Sequence, residues 1–374
     1  MAKRAAETAK KSEERPEIKR TAGTVRRSKT YVDFAAVLKK AGHSGKAYEK
    51  TNYLPTGLTL VDAITGNGFL GGRFSMLHGE EMTYKSSFSY HLGGITQQLD
   101  GAVWIDDPED KWDADVARIN GLDPDKIYYT QSKNAEEYLS CLENWIDIGR
   151  ESPVPMTHFY DSLGVMGTKD QQEASKEHPM SVAKKLAYWL STSRSLRHLT
   201  NTNVHICWLN QQRDGVDFHS YGPPKPKLPG GRAAKFKNSL RLKMSAQALG
   251  SKDKGQTGKS PIGKLVRFTA EKIPGMPDQR WCLVPYFFHY GFDDGLSCLN
   301  YLIGLGYIKK GTADGEKLKY VIDGTALFKG EWRARFYADD GVKREIRAMT
   351  RRAFLADNSY QGGEADACDE DEEE

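Results

Sequence analysis

Residues 70–100 read LGGRFSMLHGEEMTYKSSFSYHLGGITQQLD, and this stretch decides the fold. Arg73 to His78 is an apolar run of strand length, Gly79 to Ser87 is a turn, and Ser86 to Leu99 reads as the helix that follows. Within the turn, Gly79-Glu80-Glu81-Met82-Thr83-Tyr84-Lys85-Ser86, continued by Ser87, nearly fits the pattern G-x-x-x-x-G-K-[ST]. In that pattern backbone N–H groups and a helix N-terminus wrap a triphosphate. The lysine, here Lys85, reaches the β- and γ-phosphates, and the hydroxyl, here Ser86, holds Mg²⁺. Tyr84 stands where the second glycine is expected, and a glycine there permits tight backbone curvature. On these residues alone an ordinary strand–turn–helix stays open beside a nucleotide site.

The flanking segments favour the nucleotide site. Ala102 to Ile105 is a short apolar run that ends in Asp106, Asp107, Glu109, Asp110 and Asp113. Carboxylates just past the C-terminal end of a parallel strand sit where such sheets bind ligands. Met156 to Tyr160 runs into Asp161, the form of a Walker B strand whose aspartate binds the magnesium water shell. The plainer alternative is an aspartate capping the next turn, and the upstream phosphate loop favours Walker B. Further strands are expected at Ile127 to Tyr129, Val204 to Leu209, Ser239 to Met244, Lys264 to Glu271 and Trp281 to Phe288. Helices are expected at Asn134 to Ile148, Met180 to Leu199 and Leu296 to Leu305, the first with Asn134 and Glu137 spaced as a capping box. Strands alternating with helices predict an α/β fold with a mainly parallel central sheet flanked by helices.

Two long loops interrupt this alternation, Gly164 to Pro179 and Gln212 to Gly231. The second mixes Arg213, Lys225 and Lys227 with Phe218, His219 and Tyr221. Cations for phosphates and rings for bases suit single-stranded nucleic acid, although a Pro/Gly-rich surface loop has the same composition.

The bulk numbers exclude some classes. A chain of 374 residues, 39% hydrophobic, with 14 Phe, 18 Tyr and 7 Trp, can bury a sizeable core. It has no apolar run long enough to span a bilayer, and its first twenty residues lack the apolar centre of a secretory signal. Cys141, Cys207, Cys282, Cys298 and Cys368 are widely spaced, form no metal-ligand pair and suit a reducing cytosol. The net charge of +4 hides an asymmetry between a basic first thirty residues and EADACDEDEEE at 364–374. A basic arm suggests a polyanionic partner, and the acidic tail either competes for the same basic surface or is a solvated end.

From about Leu54 to Lys310 these motifs, in their order, resemble the RecA family of DNA strand-exchange recombinases, and within it the bacteriophage UvsX-like branch, whose members carry an aromatic at the position of Tyr84. The resemblance implies a RecA-like P-loop ATPase core. It makes Glu109, in Asp107-Pro108-Glu109, the catalytic glutamate beside Lys85. ATP would lie on Gly79, Glu80, Glu81, Met82, Thr83, Tyr84, Lys85, Ser86 and Ser87, with Mg²⁺ on Ser86 and Asp161. Asp113 and Tyr290 would flank the adenine, and Gln211 would sense the γ-phosphate. Lys272 would reach across a subunit interface to the phosphate, where Ala270 stands at the position of a second family lysine. The long loops, about 164–180 and 212–231, would bind DNA through Met180, Arg213, Val216, Phe218, Tyr221, Lys225 and Lys227, and Lys235 and Phe236 would face a neighbouring subunit.

The expected organisation is a disordered basic arm at 1–30, an N-terminal helix and linker for oligomerisation at 31–53, and the core at 54–310. A small C-terminal segment at 311–355 and a disordered acidic tail at 356–374 complete it. The resemblance implies a cytoplasmic DNA-dependent ATPase, in a bacterial host cell if of phage origin, that forms a helical filament on single-stranded DNA and exchanges strands with homologous duplex. A single-strand-binding protein and a loading mediator are the further partners it implies, and no membrane. A RecA-fold ring motor, helicase or loader, and a non-catalytic single-strand-binding mediator, are the alternatives left open.

Overall fold

The sheet grows outward from β3 (Arg73–Gly79), a strand buried from Phe74 onward. The structure, a computed structural model, describes residues 52–172, 181–200, 202–212, 228–249, 262–314 and 317–357. All of them belong to one unit, residues 50–374. Ahead of β3 come β1 (Tyr53–Leu54), α1 (Thr59–Thr65) and β2 (Phe69–Leu70), with β1 and β2 paired antiparallel. After β3 the chain alternates: α2 (Lys85–Gln98), β4 (Ala102–Asp106), α3 (Ala114–Ile119), β5 (Ile127–Thr130), α4 (Ala135–Ile148) and β6 (Met156–Tyr160). Then follow α5 (Lys169–Gln172), α6 (Val182–Thr192), α7 (Ser195–Leu199), β7 (Val204–Gln211), α8 (Gly231–Lys237) and the long strand β8 (Asn238–Leu249). An antiparallel edge is added by β9 (Gly263–Lys272), β10 (Arg280–Phe287) and β11 (Gly291–Phe292).

These strands form a nine-stranded sheet in the order β11-β10-β9-β8-β3-β7-β6-β4-β5. Every pairing from β8 to β5 is parallel, and every pairing from β8 to β11 is antiparallel. The expectation of a mainly parallel α/β sheet holds. Because side chains alternate along a strand, each central strand feeds two apolar layers. Phe74, Met76, Trp104, Tyr160, Ile206 and Trp208 face α4, α6 and α7. Leu77, Val103, Ile105, Phe159, Cys207 and Leu209 face α1 and α2. Helix α2 sits close to its neighbours because Gly94 has no side chain: a Cβ there would come within 2.4 Å of the Gly121 carbonyl.

Two local expectations are corrected. The helix read as continuous from Met180 to Leu199 is broken at Ser193, whose ψ of 127° leaves the helical region and separates α6 from α7. The apolar period continues through the break, so the pattern did not reveal it. At α4 the Asn134 side chain accepts the Glu137 N–H at 3.0 Å, as a cap should. The Glu137 carboxylate, however, takes the Lys133 N–H instead of returning to Asn134.

Beyond α9 (Asp294–Gly304) lie β12 (Lys309–Asp314), β13 (Lys317–Ile322), β14 (Thr325–Phe328), α10 (Lys329–Ala338) and α11 (Asp340–Asp357). Helix α11 thus continues to Asp357, past the expected start of the tail at 356. It returns to the beginning of the unit. Asp294 accepts from the Thr59 backbone at 2.6 Å and from Arg347 Nε at 2.8 Å, while Arg347 also donates to the Gly57 carbonyl at 2.8 Å. Arg351 lies 3.9 Å from Asp62, whose carboxyl burial pushes up to about 6. The arm at 1–30, residues 31–51 of the expected N-terminal helix and linker, and the tail from 358 lie outside the described residues.

A polar knot stitches the layer beneath α4. The Tyr138 hydroxyl accepts from Trp208 Nε1 at 2.7 Å and lies 3.1 Å from His158 Nε2. All three side chains are buried, and burial holds the His158 imidazole neutral by lowering its pKa to about 3. Tyr138→Phe leaves both nitrogens without this partner, so urea unfolding should show a loss of roughly 1–3 kcal/mol, the cost of orphaned buried polar groups.

Candidate nucleotide site

The site is built where β3 ends. Gly79, the last residue of β3, pairs in register with Gln211, the last of β7, and the Gln212 N–H donates to the Gly79 carbonyl at 3.0 Å. Gly79 has φ +156°, and a Cβ there would fall 2.1 Å from the Met244 carbonyl of β8, so only glycine fits. The loop then curls through Met82 (φ 56°) and Tyr84 (φ 65°), and α2 starts at Lys85. Tyr84 therefore adopts the left-handed conformation for which a glycine was expected. That conformation costs a non-glycine residue about 1–2 kcal/mol. The tyrosine ring offsets it by packing 4.4 Å from Tyr286 and by stacking at 6.4 Å on Phe288.

Lys85 curls over this loop and donates to the carbonyls of Glu80 at 2.6 Å and Gly79 at 3.2 Å, and to Thr83 Oγ1 at 3.1 Å. Burial pulls its pKa down, while Asp161, Glu81 and Glu109 oppose that shift. The Ser86 hydroxyl donates to Asp161 Oδ2, so the phosphate-loop serine and the strand-end aspartate meet. Asp161 is joined to Ser162 by a cis peptide bond. Burial first, then the Glu109 and Asp107 carboxylates, raise the Asp161 pKa to about 6.

The acidic run after β4 divides into separate tasks. Asp106 turns inward and accepts from the Ser132 backbone at 3.0 Å. Asp107 builds the turn by accepting the backbone N–H of Lys111 at 2.8 Å and of Glu109 at 3.2 Å. Beyond that turn Glu109 accepts from the Ser162 hydroxyl, just past β6, and from the Lys111 ammonium. Asp113 caps α3 through the N–H groups of Asp115 and Val116, at 2.9 and 3.0 Å. The turn after Tyr290 closes on the far end of the same helix, since a Cβ at Gly291 would lie 3.1 Å from the Ile119 carbonyl. Asp113 and Tyr290 thus stand at the two ends of α3, and no direct contact joins them.

Tyr290 stacks on Phe287 at 4.7 Å, with the Arg333 guanidinium 4.7 Å from its ring. Lys272, at the end of β9, donates to the Phe236 carbonyl of α8 at 3.1 Å, which ties two residues expected at an interface to each other. Phe236 itself is 75% exposed, and Lys235 lies on the same short helix. Met180, Arg213, Val216, Phe218, Tyr221, Lys225 and Lys227 lie outside the described residues.

Sequence reasoning missed four contacts. Lys111 and Ser162 grip Glu109, His78 pairs with Glu271 at 2.9 Å beside the loop, and the buried Asp293 binds Arg333 of α10. Lys111, two residues from Glu109, could have been found by asking what faces that carboxylate, whereas Ser162 reaches it across the β4 and β6 ends. The other two pairs join residues far apart in the chain and left no local signal.

A strand–loop–helix with this lysine and serine, facing aspartate and glutamate at the ends of neighbouring parallel strands, defines a P-loop nucleotide-binding class. Residues 29–272 match the RecA N-terminal domain family, and the chain belongs to the RecA family. Protein RecA of Ureaplasma parvum serovar 3 is 26% identical over 267 residues, covering 70% of this chain and 75% of that protein. Protein RecA of Lactococcus lactis subsp. cremoris is 26% identical over 296 residues, covering 77% and 74%. That of Aquifex pyrophilus is 28% identical over 193 residues, covering 51% and 53%.

Two outcomes follow from the loop's geometry. Tyr84→Ala keeps the left-handed strain and loses the ring contacts, whereas Tyr84→Gly removes the strain. The glycine variant should be more stable than the alanine variant by about 1 kcal/mol, reversing the usual helix order, and should keep nucleotide affinity within roughly threefold. Thermal melts and nucleotide titrations of the two variants check this.

The second outcome concerns Asp161, whose pKa is raised in the fold to about 6 from an ordinary value near 4. The folded state holds this proton more tightly than the unfolded chain does. Its contribution to stability is therefore fullest below about pH 4 and is lost as pH rises through about 6. Asp161→Asn should stabilise the nucleotide-free protein by roughly 2 kcal/mol at pH 7.5 and by nothing near pH 4. Denaturation at the two pH values measures the difference.

Proposed function

We propose that the protein is a DNA-dependent ATPase that assembles on single-stranded DNA into a helical filament and promotes homologous pairing and strand exchange. Recombination, repair and recombination-dependent replication are the processes it serves. The observation that carries this reading is the contact of Ser86 with Asp161, beside Glu109, in a chain of the RecA family. Tyr84 in the loop supports the bacteriophage UvsX-like branch and, with it, the cytoplasm of a bacterial host.

In this reading Lys85 leaves the loop carbonyls for the β- and γ-phosphates of ATP. The Ser86 and Asp161 oxygens are hard ligands already in contact, which fits Mg²⁺. Among the described residues no cluster of three or more His, Cys, Asp or Glu side chains forms a metal cage, as suits an ion that completes its shell with phosphate and water. When bound, Mg²⁺ neutralises charge on the phosphates. Glu109 takes the proton of the attacking water, with Ser162 fixing its orientation. Asp113 and Tyr290, at the two ends of α3, flank the base.

Gln211 lies in register with the loop's first glycine and directly precedes the proposed second DNA loop, so γ-phosphate contact there biases that loop's order. Lys235, Phe236 and Lys272 face a neighbouring subunit, residues 31–53 assist that assembly, and loops 164–180 and 212–231 hold DNA. A head-to-tail interface of this kind builds an open helix. A single-strand-binding protein and a loading mediator are the remaining partners in this reading.

Glu109→Gln should lower DNA-stimulated ATP turnover by at least about a hundredfold while sparing ATP binding, because an amide cannot accept the proton. Lys85→Ala should lose both. Turnover assays, nucleotide titration and negative-stain imaging on single-stranded DNA decide the matter. Closed rings in place of filaments, or normal turnover in Glu109→Gln, would contradict the reading.

A further inference from the structure

Glu109 has both carboxylate oxygens engaged within the chain: Oε1 accepts from Ser162 Oγ, and Oε2 from Lys111 Nζ. The two donors differ in freedom. Ser162 is fully buried just past β6, so it is a fixed orienter. The Lys111 side chain is 67% exposed, against 7% for Glu109. The backbone N–H of Lys111 is held by Asp107 at 2.8 Å, so its root is pinned and only the flexible stem can swing. Through Glu109 the ammonium is joined to Ser162, the residue after Asp161, and Asp161 in turn accepts from Ser86, next to Lys85. Lys111 therefore stands at the same concentration of charge that Lys85 serves.

We propose that Lys111 is a second γ-phosphate cation from the same chain as Lys85, parked on Glu109 until ATP arrives. The proposal rests on reading 79–87 as the phosphate loop and Glu109 as the base. A terminal phosphate offers more charge and more acceptor oxygens than one carboxylate, so it draws the ammonium away. The transfer frees Glu109 Oε2 to accept a proton, while Ser162 keeps Oε1 in place. ADP has no γ-phosphate and leaves the pair closed. In the reaction a bond forms between the water oxygen and Pγ as the bond from Pγ to its bridging oxygen breaks. The electron pair stays on ADP, the water's proton goes to Glu109, and Lys111 joins Lys85 in screening the transferred phosphoryl group. The base thus becomes available only when the group it helps to attack is present.

The test compares full-length wild type, Lys111→Ala and Lys111→Arg. Equilibrium affinity is measured for ADP and for the slowly hydrolysed thiophosphate analogue of ATP, alongside ATP turnover with single-stranded DNA. Lys111→Ala should bind the analogue roughly ten- to a hundredfold more weakly, the loss of one charge-assisted hydrogen bond, with ADP affinity unchanged. Its turnover should fall at least about tenfold, and Lys111→Arg should recover much of the analogue affinity. An alanine variant that binds both nucleotides as wild type does, or that turns over faster, overturns the proposal and leaves Lys111 as a tether. If that result accompanies a dead Glu109→Gln, the site reading stands and only this inference falls. If Lys85→Ala binds nucleotide normally, the site reading falls with it.

Discussion

A carboxylate set among other carboxylates at the end of a buried strand is the constraint on which the site depends. Asp161 keeps company with Asp107 and Glu109, and its ionised form is tolerated because Lys85 and the Ser86 hydroxyl face it. Sheet order makes that meeting possible. β7 lies between β3 and β6, so the start of α2 must reach past the end of β7 to touch Asp161. Gln211 occupies that strand end, between the loop on one side and the aspartate strand on the other. Any change in strand order would separate the lysine, the serine and the two acids, whatever their local motifs.

Much of this was legible because it is local. The phosphate loop, the acidic end of β4 and the Asp161 strand are each a short apolar run closed by charge, and such runs carry their own direction into the site. What lets a tyrosine hold the glycine-type conformation at 84 was not legible, since the rings that stabilise it belong to Tyr286 and Phe288, about two hundred residues downstream. The break at Ser193 interrupts no periodicity. The hold of Ser162 on Glu109 needs the β4 and β6 ends to be adjacent, which only tertiary pairing supplies. Strand existence was likewise readable for β8 to β10, but their antiparallel sense was not, because an alternating apolar pattern is the same in either direction.

The C-terminal segment is more entangled with the core than its place in the chain suggests. Arg333 of α10 reaches Asp293, next to Tyr290, and so braces the turn at one end of α3. Arg347 and Arg351 of α11 face Asp294 and Asp62, carboxylates that burial would otherwise leave poorly matched.

That last helix has a bearing on how the chain comes to be folded. Synthesis delivers α1 well before α11, yet Arg347 bridges the Gly57 carbonyl and Asp294 in one grasp. Contacts of such long range form late and slowly, and domains assemble as the ribosome releases them. The opening turn of the core therefore stays an unfinished edge until α11 has emerged. A nascent or prematurely stopped chain can own every residue of the phosphate loop and still lack the arginines that close the structure beneath it.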